Sequence, residues 1–239
     1  MLEIVKTPPT SAEVATVAAP RPTTQPGPGL ATSGFAFDAC VCLTPLAPEA
    51  RWCLRLPEAD AHDIGDLSGF DLSAPMNSAR PVVTDASDDA GDTAARAVAA
   101  SRQRCFRIGP DEWLLNASDA ERDDLTVKME RTLANRPHAL VDISDRNRAY
   151  HLAGPRAAEV LNSGCPLDLA IAVFAPGMAT RTLYAHADII LHRVGEEVFE
   201  VQVWRSFSAY LAEALFVTSR LANAAAAERS KSAPKYSVE

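Results

Sequence analysis

The sequence predicts an α+β fold with mixed or antiparallel sheets and helices packed on one face. Three observations lead to this prediction: strand and helix patterns are interleaved, several strands are separated only by short turns, and one long C-terminal segment follows helical periodicity. The order strand, helix, strand, strand, helix occurs about twice along the chain. This repetition predicts two related halves.

The composition is that of a folded domain with an acidic surface. Of 239 residues, 47% are hydrophobic and 23% are charged, with a formal net charge of −8. This balance disfavours nucleic-acid and anionic-membrane partners, which select clustered Lys and Arg. No apolar run approaches the ~18 residues that span a bilayer, and no signal peptide is recognisable. We therefore expect a cytoplasmic protein whose five cysteines are free thiols.

Four regions are predicted along the chain. Residues 1–36 form a disordered tail, because six prolines fall within it and few large apolar side chains offset the cost of ordering. Residues 37–137 form the first α+β half and residues 138–227 the second. Residues 228–239 are charged and Ser-rich, and we expect a flexible C-terminal tail there.

In the first half, the earliest predicted strand is Arg51–Leu56, where Trp52, Leu54 and Leu56 share one face and Arg51 and Arg55 lie on the other. Residues 57–92 are rich in turn-forming residues and are expected to be mostly loop. A short Ala-rich helix is predicted at Thr93–Ser101, followed by a hairpin of strands Gln103–Ile108 and Glu112–Leu115. A second helix is predicted to start at the capping box Ser118–Glu121 and to end at Arg136-Pro137. The predicted buried residues of this helix are Leu125, Met129, Thr132 and Leu133.

The second half has clearer patterns. Two short strands are predicted at Ala139–Ile143 and Ala149–Ala153, and Gly154-Pro155 opens a helix that ends before Gly164. The predicted inward residues of that helix are Ala157, Val160 and Leu161. Three consecutive strands follow at Arg181–Tyr184, Ala187–Val194 and Val198–Trp204, and Gly195-Glu196 joins the last two as a hairpin. A helix at Phe207–Ala227 is predicted because Phe207, Tyr210, Leu211, Ala214, Leu215, Thr218, Leu221 and Ala222 follow the 3.6-residue period.

Metal and nucleophile signals are weak. Cys40-Val41-Cys42 is too tightly spaced for zinc, and His186 with His192 supplies only two of four donors. The acidic loop Asp85–Asp92 lacks the bidentate Glu that closes a calcium loop. Cys165 follows a helix C-terminus, where the helix dipole disfavours a thiolate, so a small buried thiol is expected. We assign no catalytic, cofactor-binding or metal-binding residue.

Asp142 and Asp145 form a carboxylate pair after a predicted strand. They could act as acid and base, or they could cap a turn and pair with Arg146 or Arg148. We favour the structural role. Dinucleotide and phosphate-binding loops of the G-x-G-x-x-G and G-x-x-x-x-G-K-[ST] types do not occur, so we do not expect this chain to hold a nicotinamide or flavin by itself.

Six segments in order across residues 103–215 carry a family resemblance. They are Arg107–Leu115 (RIGPDEWLL), Val141–Arg146 (VDISDR), Leu152–Leu161 (LAGPRAAEVL), Gly164–Leu169 (GCPLDL), Phe174–Thr182 (FAPGMATRT) and Val203–Leu211 (VWRSFSAYL). With these segments the chain resembles the gamma subunit of heterotetrameric sarcosine oxidase, a family similar in fold to the folate-binding part of aminomethyltransferase. Residues 1–36 lie outside the resemblance.

The resemblance implies an accessory, non-catalytic subunit whose partners are the alpha, beta and delta subunits. It implies a complex that oxidatively demethylates sarcosine to glycine, with hydrogen peroxide and either formaldehyde or methylene-tetrahydrofolate as products. FAD, FMN, NAD, zinc and tetrahydrofolate would be held by other subunits and none by this chain. The alternative is a free-standing folate-binding or aminomethyltransferase-like one-carbon protein, in which Asp142 and Asp145 are the only carboxylates nominated to face the pterin.

Candidate docking residues follow from the same segments. Trp and Arg are favoured at interface centres, which nominates Trp113, Trp204 and Arg205. Burial in the core is an equal alternative for the two tryptophans. Arg146 and Arg181 are either buried ion-pair partners or interface anchors. An accessory subunit is also expected to expose an apolar patch larger than a monomer shows.

Overall fold

The computed structural model describes residues 41–81 and 103–232. The predictions for residues 1–36, Cys40, the acidic loop Asp85–Asp92 and the helix Thr93–Ser101 lie outside these residues. The strands are β1 (Cys42–Pro45), β2 (Glu49–Arg55), β3 (Asp66–Leu67), β4 (Phe70–Asp71), β5 (Ser78–Pro81), β6 (Arg104–Gly109), β7 (Glu112–Ser118), β8 (Ala139–Asp142), β9 (Asn147–Ala153), β10 (Ala179–Tyr184), β11 (Ala187–Gly195) and β12 (Val198–Trp204). The helices are α1 (Glu58–Ile64), α2 (Arg122–Leu133), α3 (Ala157–Asn162) and α4 (Ser208–Ser232).

Two five-stranded antiparallel sheets form the framework of the described chain. The N-terminal sheet has the order β5-β6-β7-β2-β8, and the C-terminal sheet has the order β1-β9-β12-β11-β10. Strands β3 and β4 form a separate two-stranded ribbon. Two edge strands cross the predicted boundary between residues 137 and 138: β1 pairs with β9, and β8 pairs with β2.

One face of each sheet packs against helices, and the other face packs against the second sheet. Side chains alternate between the two faces of a strand, so Trp52 and Leu54 of β2 lie on the same face, in a core beneath α1 and α2. In the same way, Val201 of β12 lies in a core beneath α3 and α4. Between the sheets, Phe106 of β6 belongs to the same buried cluster as Ile190 of β11. The layers are therefore helices, sheet, sheet and helices, which confirms the predicted α+β class with antiparallel sheets.

The predicted strands are confirmed with small shifts in their ends, and the hairpins β6–β7 and β11–β12 form at the predicted turns. Strands β1, β3, β4 and β5 and helix α1 were not predicted, and the described part of the expected loop at residues 57–92 therefore contains one helix and three short strands. The capping box is wrong in detail, because a single 3-10 turn precedes α2 and Ser118 makes no side-chain capping bond. Leu125, Met129 and Leu133 are buried as expected, but Thr132 is exposed.

Helix α4 is apolar on two sides. It runs to Ser232, beyond the predicted end at Ala227. Leu211, Leu215 and Ala222 pack into the C-terminal core. Phe207 and Leu221 were assigned to the same helical period as these residues, but they are 39% and 66% exposed. The helical period is too coarse to separate two adjacent apolar stripes on one helix.

Among the residues described, no helix combines the length and apolarity needed to cross a bilayer.

Candidate functional site

A buried cluster of charged side chains joins the two sheets. Arg104 of β6 donates to both carboxylate oxygens of Glu49 at 2.9 and 2.8 Å, and its other terminal nitrogen lies 2.9 Å from Glu200 Oε2. Arg51 Nη2 donates to Glu49 Oε2 at 3.3 Å, and Asn116 Nδ2 donates to the same oxygen at 3.2 Å. Glu200 belongs to the C-terminal sheet and the other four to the N-terminal sheet. The ion pair between Arg104 and Glu200 therefore crosses the space between the sheets.

Burial and pairing act in opposite directions on the carboxylates of this cluster. Burial raises the pKa of Glu49 and outweighs the attraction of Arg104 and Arg51. Burial also acts to raise the pKa of Glu200, but Arg104 outweighs it with help from two nearby histidines, so this pKa lies well below its ordinary value. Burial lowers the pKa of His151, so its imidazole is neutral near pH 7. We interpret the cluster as a structural link between the sheets, because its charges pair with one another away from solvent.

A cavity of about 290 Å³ lies next to this cluster, also between the sheets. This volume is at the lower limit for small-molecule sites. Two residues connect it to the ionic cluster: Gln202 lines the cavity and donates to Glu200 Oε1 at 2.8 Å, and Asn147 lines it and accepts from Arg51 through its backbone carbonyl at 3.4 Å. The apolar lining includes Ile108, Leu114, Ile143 and Ile190.

Charged and aromatic side chains form the rest of the lining. The Arg146 guanidinium lies over the Trp204 ring, 4.9 Å from its centroid, and Trp204 is 44% exposed. Glu112 Oε1 accepts from Arg181 at 2.7 Å, while its Oε2 accepts from Arg55 at 2.7 Å. Arg181 comes from the C-terminal sheet and Glu112 from the N-terminal sheet, so this pair also bridges the two sheets.

The structure places the candidate docking residues, which were nominated from the sequence, in different environments. Trp113 is fully buried and its Nε1 donates to the carbonyl of Leu72 at 3.2 Å, so the core alternative holds for it. Trp204, Arg146 and Arg181 meet around the cavity, which the sequence did not predict. Arg205 is exposed outside the cavity lining.

Asp142 and Asp145 do not line the cavity. Asp142 accepts from Ser144 Oγ at 2.7 Å and from Arg122 Nε at 2.6 Å, so its partner is neither Arg146 nor Arg148. Partial burial acts to raise the pKa of Asp142, but these bonds outweigh it and lower the pKa. Asp145 is exposed. Asp142 therefore has the favoured structural role, with a different arginine.

The histidines and cysteines considered from the sequence are dispersed. His192 is buried between the sheets, whereas His186 is exposed beside Tyr210. Cys165 is buried with its Sγ 3.8 Å from Thr182 Oγ1, as expected for a small thiol in a turn. Within residues 41–81 and 103–232, no group of three or more His, Cys, Asp or Glu side chains is placed to hold a metal ion.

The sequence reasoning missed the buried ionic cluster. Glu200 and Gln202 stand at alternate positions of a strand whose other face is apolar (Phe199, Val201 and Val203), and this pattern could have marked a second buried face. Arg51 was assigned to the face opposite Trp52, which is correct, but that face is also buried. Charged residues are buried only when paired, and their partners are distant in sequence.

The layers and paired sheets define an aminomethyltransferase-like α+β fold. The glycine cleavage system aminomethyltransferase T from Bartonella henselae matches with a TM-score of 0.55 and 16% identity, covering 76% of this chain and 47% of that chain. The chain belongs to the sarcosine oxidase, gamma subunit family, whose family model matches residues 80–221.

Relatives with this description support the assignment. Sarcosine oxidase subunit gamma of Corynebacterium sp. strain U-96 is 34% identical over 101 residues, which are 42% of this chain and 48% of that protein. The Arthrobacter sp. subunit is 33% identical over 94 residues, covering 39% and 45%. The match spans about half the length of these relatives. The structure of heterotetrameric sarcosine oxidase from Corynebacterium sp. U-96, in complex with pyrrole 2-carboxylate, matches with a TM-score of 0.59 and 25% identity, over 77% of this chain and 85% of that chain.

Proposed function

We propose that this chain is a non-catalytic gamma subunit of a heterotetrameric, flavin-dependent sarcosine oxidase, and that it acts by assembly. The observation that carries the proposal is an apolar ridge along α4 and the 3-10 turn that precedes it, formed by Phe207, Tyr210, Ala214, Val217 and Leu221. Family membership supports the choice of complex, because the matched relatives bear the name of that subunit.

The ridge has the geometry of a helix-packing surface. Its residues follow one another at intervals of three and four, which places them along one side of a helix as in a coiled-coil seam. Val217 and Leu221 are 50% and 66% exposed, and the Phe207 and Tyr210 rings pack edge to face with centroids 6.4 Å apart. Exposed apolar side chains that form a continuous strip mark interaction surfaces more often than isolated ones do.

The ridge lies beside the stripe that Leu211 and Leu215 bury in the C-terminal core, and its partly buried member Ala214 packs against the edge of that core. A partner subunit can cover the four exposed side chains of the ridge without changing the packing of this chain, because none of the four belongs to the buried C-terminal core. At ~25 cal/mol per Å² of apolar surface removed from water, covering four large side chains favours association by several kcal/mol before the costs of binding.

The proposed complex supplies the chemistry on its other subunits. In this proposal the alpha, beta and delta subunits hold FAD, FMN, NAD, zinc and tetrahydrofolate in the cytoplasm. Sarcosine is oxidised to glycine with hydrogen peroxide, and the one-carbon unit leaves as formaldehyde or methylene-tetrahydrofolate. This chain contributes a docking surface and no reacting group.

The test is co-expression of the tagged full-length chain with the three partner subunits, followed by affinity capture. The captured material is expected to be yellow and to contain the larger subunits. The double variant Val217→Glu/Leu221→Glu is expected to lose most of the captured flavin. Val127→Glu/Val141→Glu is the matched control, because both side chains are exposed (46% and 53%) and lie off the ridge on α2 and β8.

Two results would contradict the proposal. One is a colourless single chain captured when all partners are present and soluble. The other is equal flavin capture by the two double variants, which would remove the ridge as the docking surface. Circular dichroism of each variant establishes that a loss of capture reflects docking and not unfolding.

A further inference from the structure

The cavity between the sheets contains hydrogen-bonding groups that the protein itself does not satisfy. Asn147 Oδ1 and Gln202 Oε1 are buried in its lining, and neither accepts a hydrogen bond within the described chain. Both side chains are more than nine-tenths buried. Both oxygens are closed to solvent, so they make this wall of the cavity rich in hydrogen-bond acceptors without contacting a molecule inside it.

The same lining also contains one unpaired charge of each sign. Glu112 is already paired, with Arg181 and with Arg55, each at 2.7 Å. Among residues 41–81 and 103–232, Arg146 has no carboxylate at ion-pair distance, and Asp188 has no cationic partner at that distance. A free guanidinium and a free carboxylate on one cavity match a ligand that carries both a carboxylate and an ammonium group.

Strand register places these groups around Trp204. Asn147 lies directly opposite Trp204 on the neighbouring strand β9. On the other side of β12, Ile189 is paired with Val203, so the register brings the adjacent residue Asp188 alongside Trp204. The acceptor, the indole and the carboxylate therefore follow one another across three adjacent strands, about 10 Å in total.

We infer that this cavity is a binding site for a zwitterionic amino acid, N-alkyl amino acids included. Arg146 holds the ligand carboxylate. Asp188 binds the amino group, and the isoleucines of the lining contact the carbon skeleton. A cavity of about 290 Å³ fits a molecule of this size. The lining disfavours a polyanion such as a nucleotide, because Glu112 and Asp188 face the same space. The inference does not depend on assembly with other subunits.

The test uses titration of the purified full-length chain, followed by tryptophan fluorescence and calorimetry. The probes are glycine, N-methylglycine and leucine, with acetate and methylamine as molecules that carry one charge each. Trp204 is the reporter, because Trp52 and Trp113 are fully buried in the N-terminal core. At least one amino acid is expected to bind saturably, and at least about tenfold more tightly than acetate or methylamine, because each of these forms only one of the two charged contacts.

Three exposed positions provide the variants, so none perturbs the core. Arg146→Met is expected to weaken amino-acid binding at least about tenfold, by removing the carboxylate contact. Asp188→Asn is expected to weaken the binding of amino acids and to leave the binding of acetate unchanged. Arg205→Met is the control, because it removes the same charge next to Trp204 without touching the cavity lining. Three results would overturn the inference. They are the absence of saturable binding at tens of millimolar probe, an affinity for acetate equal to that for the amino acids, and an equal effect of Arg146→Met and Arg205→Met on amino-acid affinity.

Discussion

Replacing Arg104 by Met is the sharpest test of the ionic link between the sheets. Arg104 makes three charged N–H···O contacts of 2.8–2.9 Å with Glu49 and Glu200. The two contacts with Glu49 are charged hydrogen bonds, and at ~1.5–3 kcal/mol for each their sum is about 3–6 kcal/mol, to which the ion pair with Glu200 adds. The variant no longer has to bury a guanidinium, so the expected net loss in the free energy of unfolding is about 3–5 kcal/mol.

The loss is expected to depend on pH, with a sign that follows from the pKa shifts. In the native protein the pKa of Glu200 is depressed, so its contribution is present above the unfolded value of about 4.3 and is lost as the pH falls. Without Arg104, burial dominates and the folded pKa of Glu200 rises above the unfolded value. That penalty disappears below the unfolded pKa and grows as the pH increases. The difference between Arg104→Met and the native chain is therefore larger at pH ~8 than at pH ~5.

The assay is urea unfolding of both proteins at the two pH values, followed by circular dichroism. Arg55→Met is the control, because Arg55 pairs with Asp111 and Glu112 but its side chain is 51% exposed, and such a pair contributes at most about 1 kcal/mol. A loss for Arg104→Met no larger than that of Arg55→Met would refute the reasoning. So would a large loss that is the same at both pH values, since it would indicate lost packing instead of unpaired carboxylates.

Two further predictions test the packing of α4 and of the turn after α3. Leu215→Ala is expected to cost about 2–5 kcal/mol of unfolding free energy and Leu221→Ala less than about 0.5 kcal/mol, because Leu215 is fully buried and Leu221 is on the exposed ridge. Gly164→Ala is expected to cost about 1–3 kcal/mol of unfolding free energy, because a Cβ there would lie 3.0 Å from a ring carbon of Tyr184. Gly195→Ala should change the unfolding free energy by less than about 0.5 kcal/mol, because the nearest contact of its Cβ would be at 3.7 Å. Urea unfolding of each pair checks both, and equal losses within a pair would contradict the assigned environments.

The fold class was predictable from local patterns. Strands β11 and β12 alternate clearly and are separated by Gly195-Glu196, so the hairpin was visible in the sequence. Strand β1 was not visible, because it is only four residues long and ends in Pro45. Helix α1 was not visible either, because its seven residues bury only Ala61.

The candidate site was predictable only in part. Arg146, Arg181 and Trp204 were nominated individually, but the register that brings them to one cavity depends on strand pairings over long sequence distances. Propensity and periodicity describe neighbours along the chain and say nothing of which strands become neighbours in a sheet. The second stripe of α4 shows the same limit, since periodicity identifies apolar positions without telling which of them the rest of the protein covers.

The crossed edge strands have a consequence for synthesis on the ribosome. Cys42 of β1 pairs with Ala153, so this strand is made well before its partner exists. At ~5–20 residues per second, the delay is roughly 5–20 s, and β1 remains an unpaired edge throughout. In the same way β2 is exposed on one side until β8 emerges. The N-terminal sheet is complete only after β8 has emerged and the C-terminal sheet only after β12, so a nascent chain arrested before β8 presents the unpaired edges of β1 and β2 to chaperones.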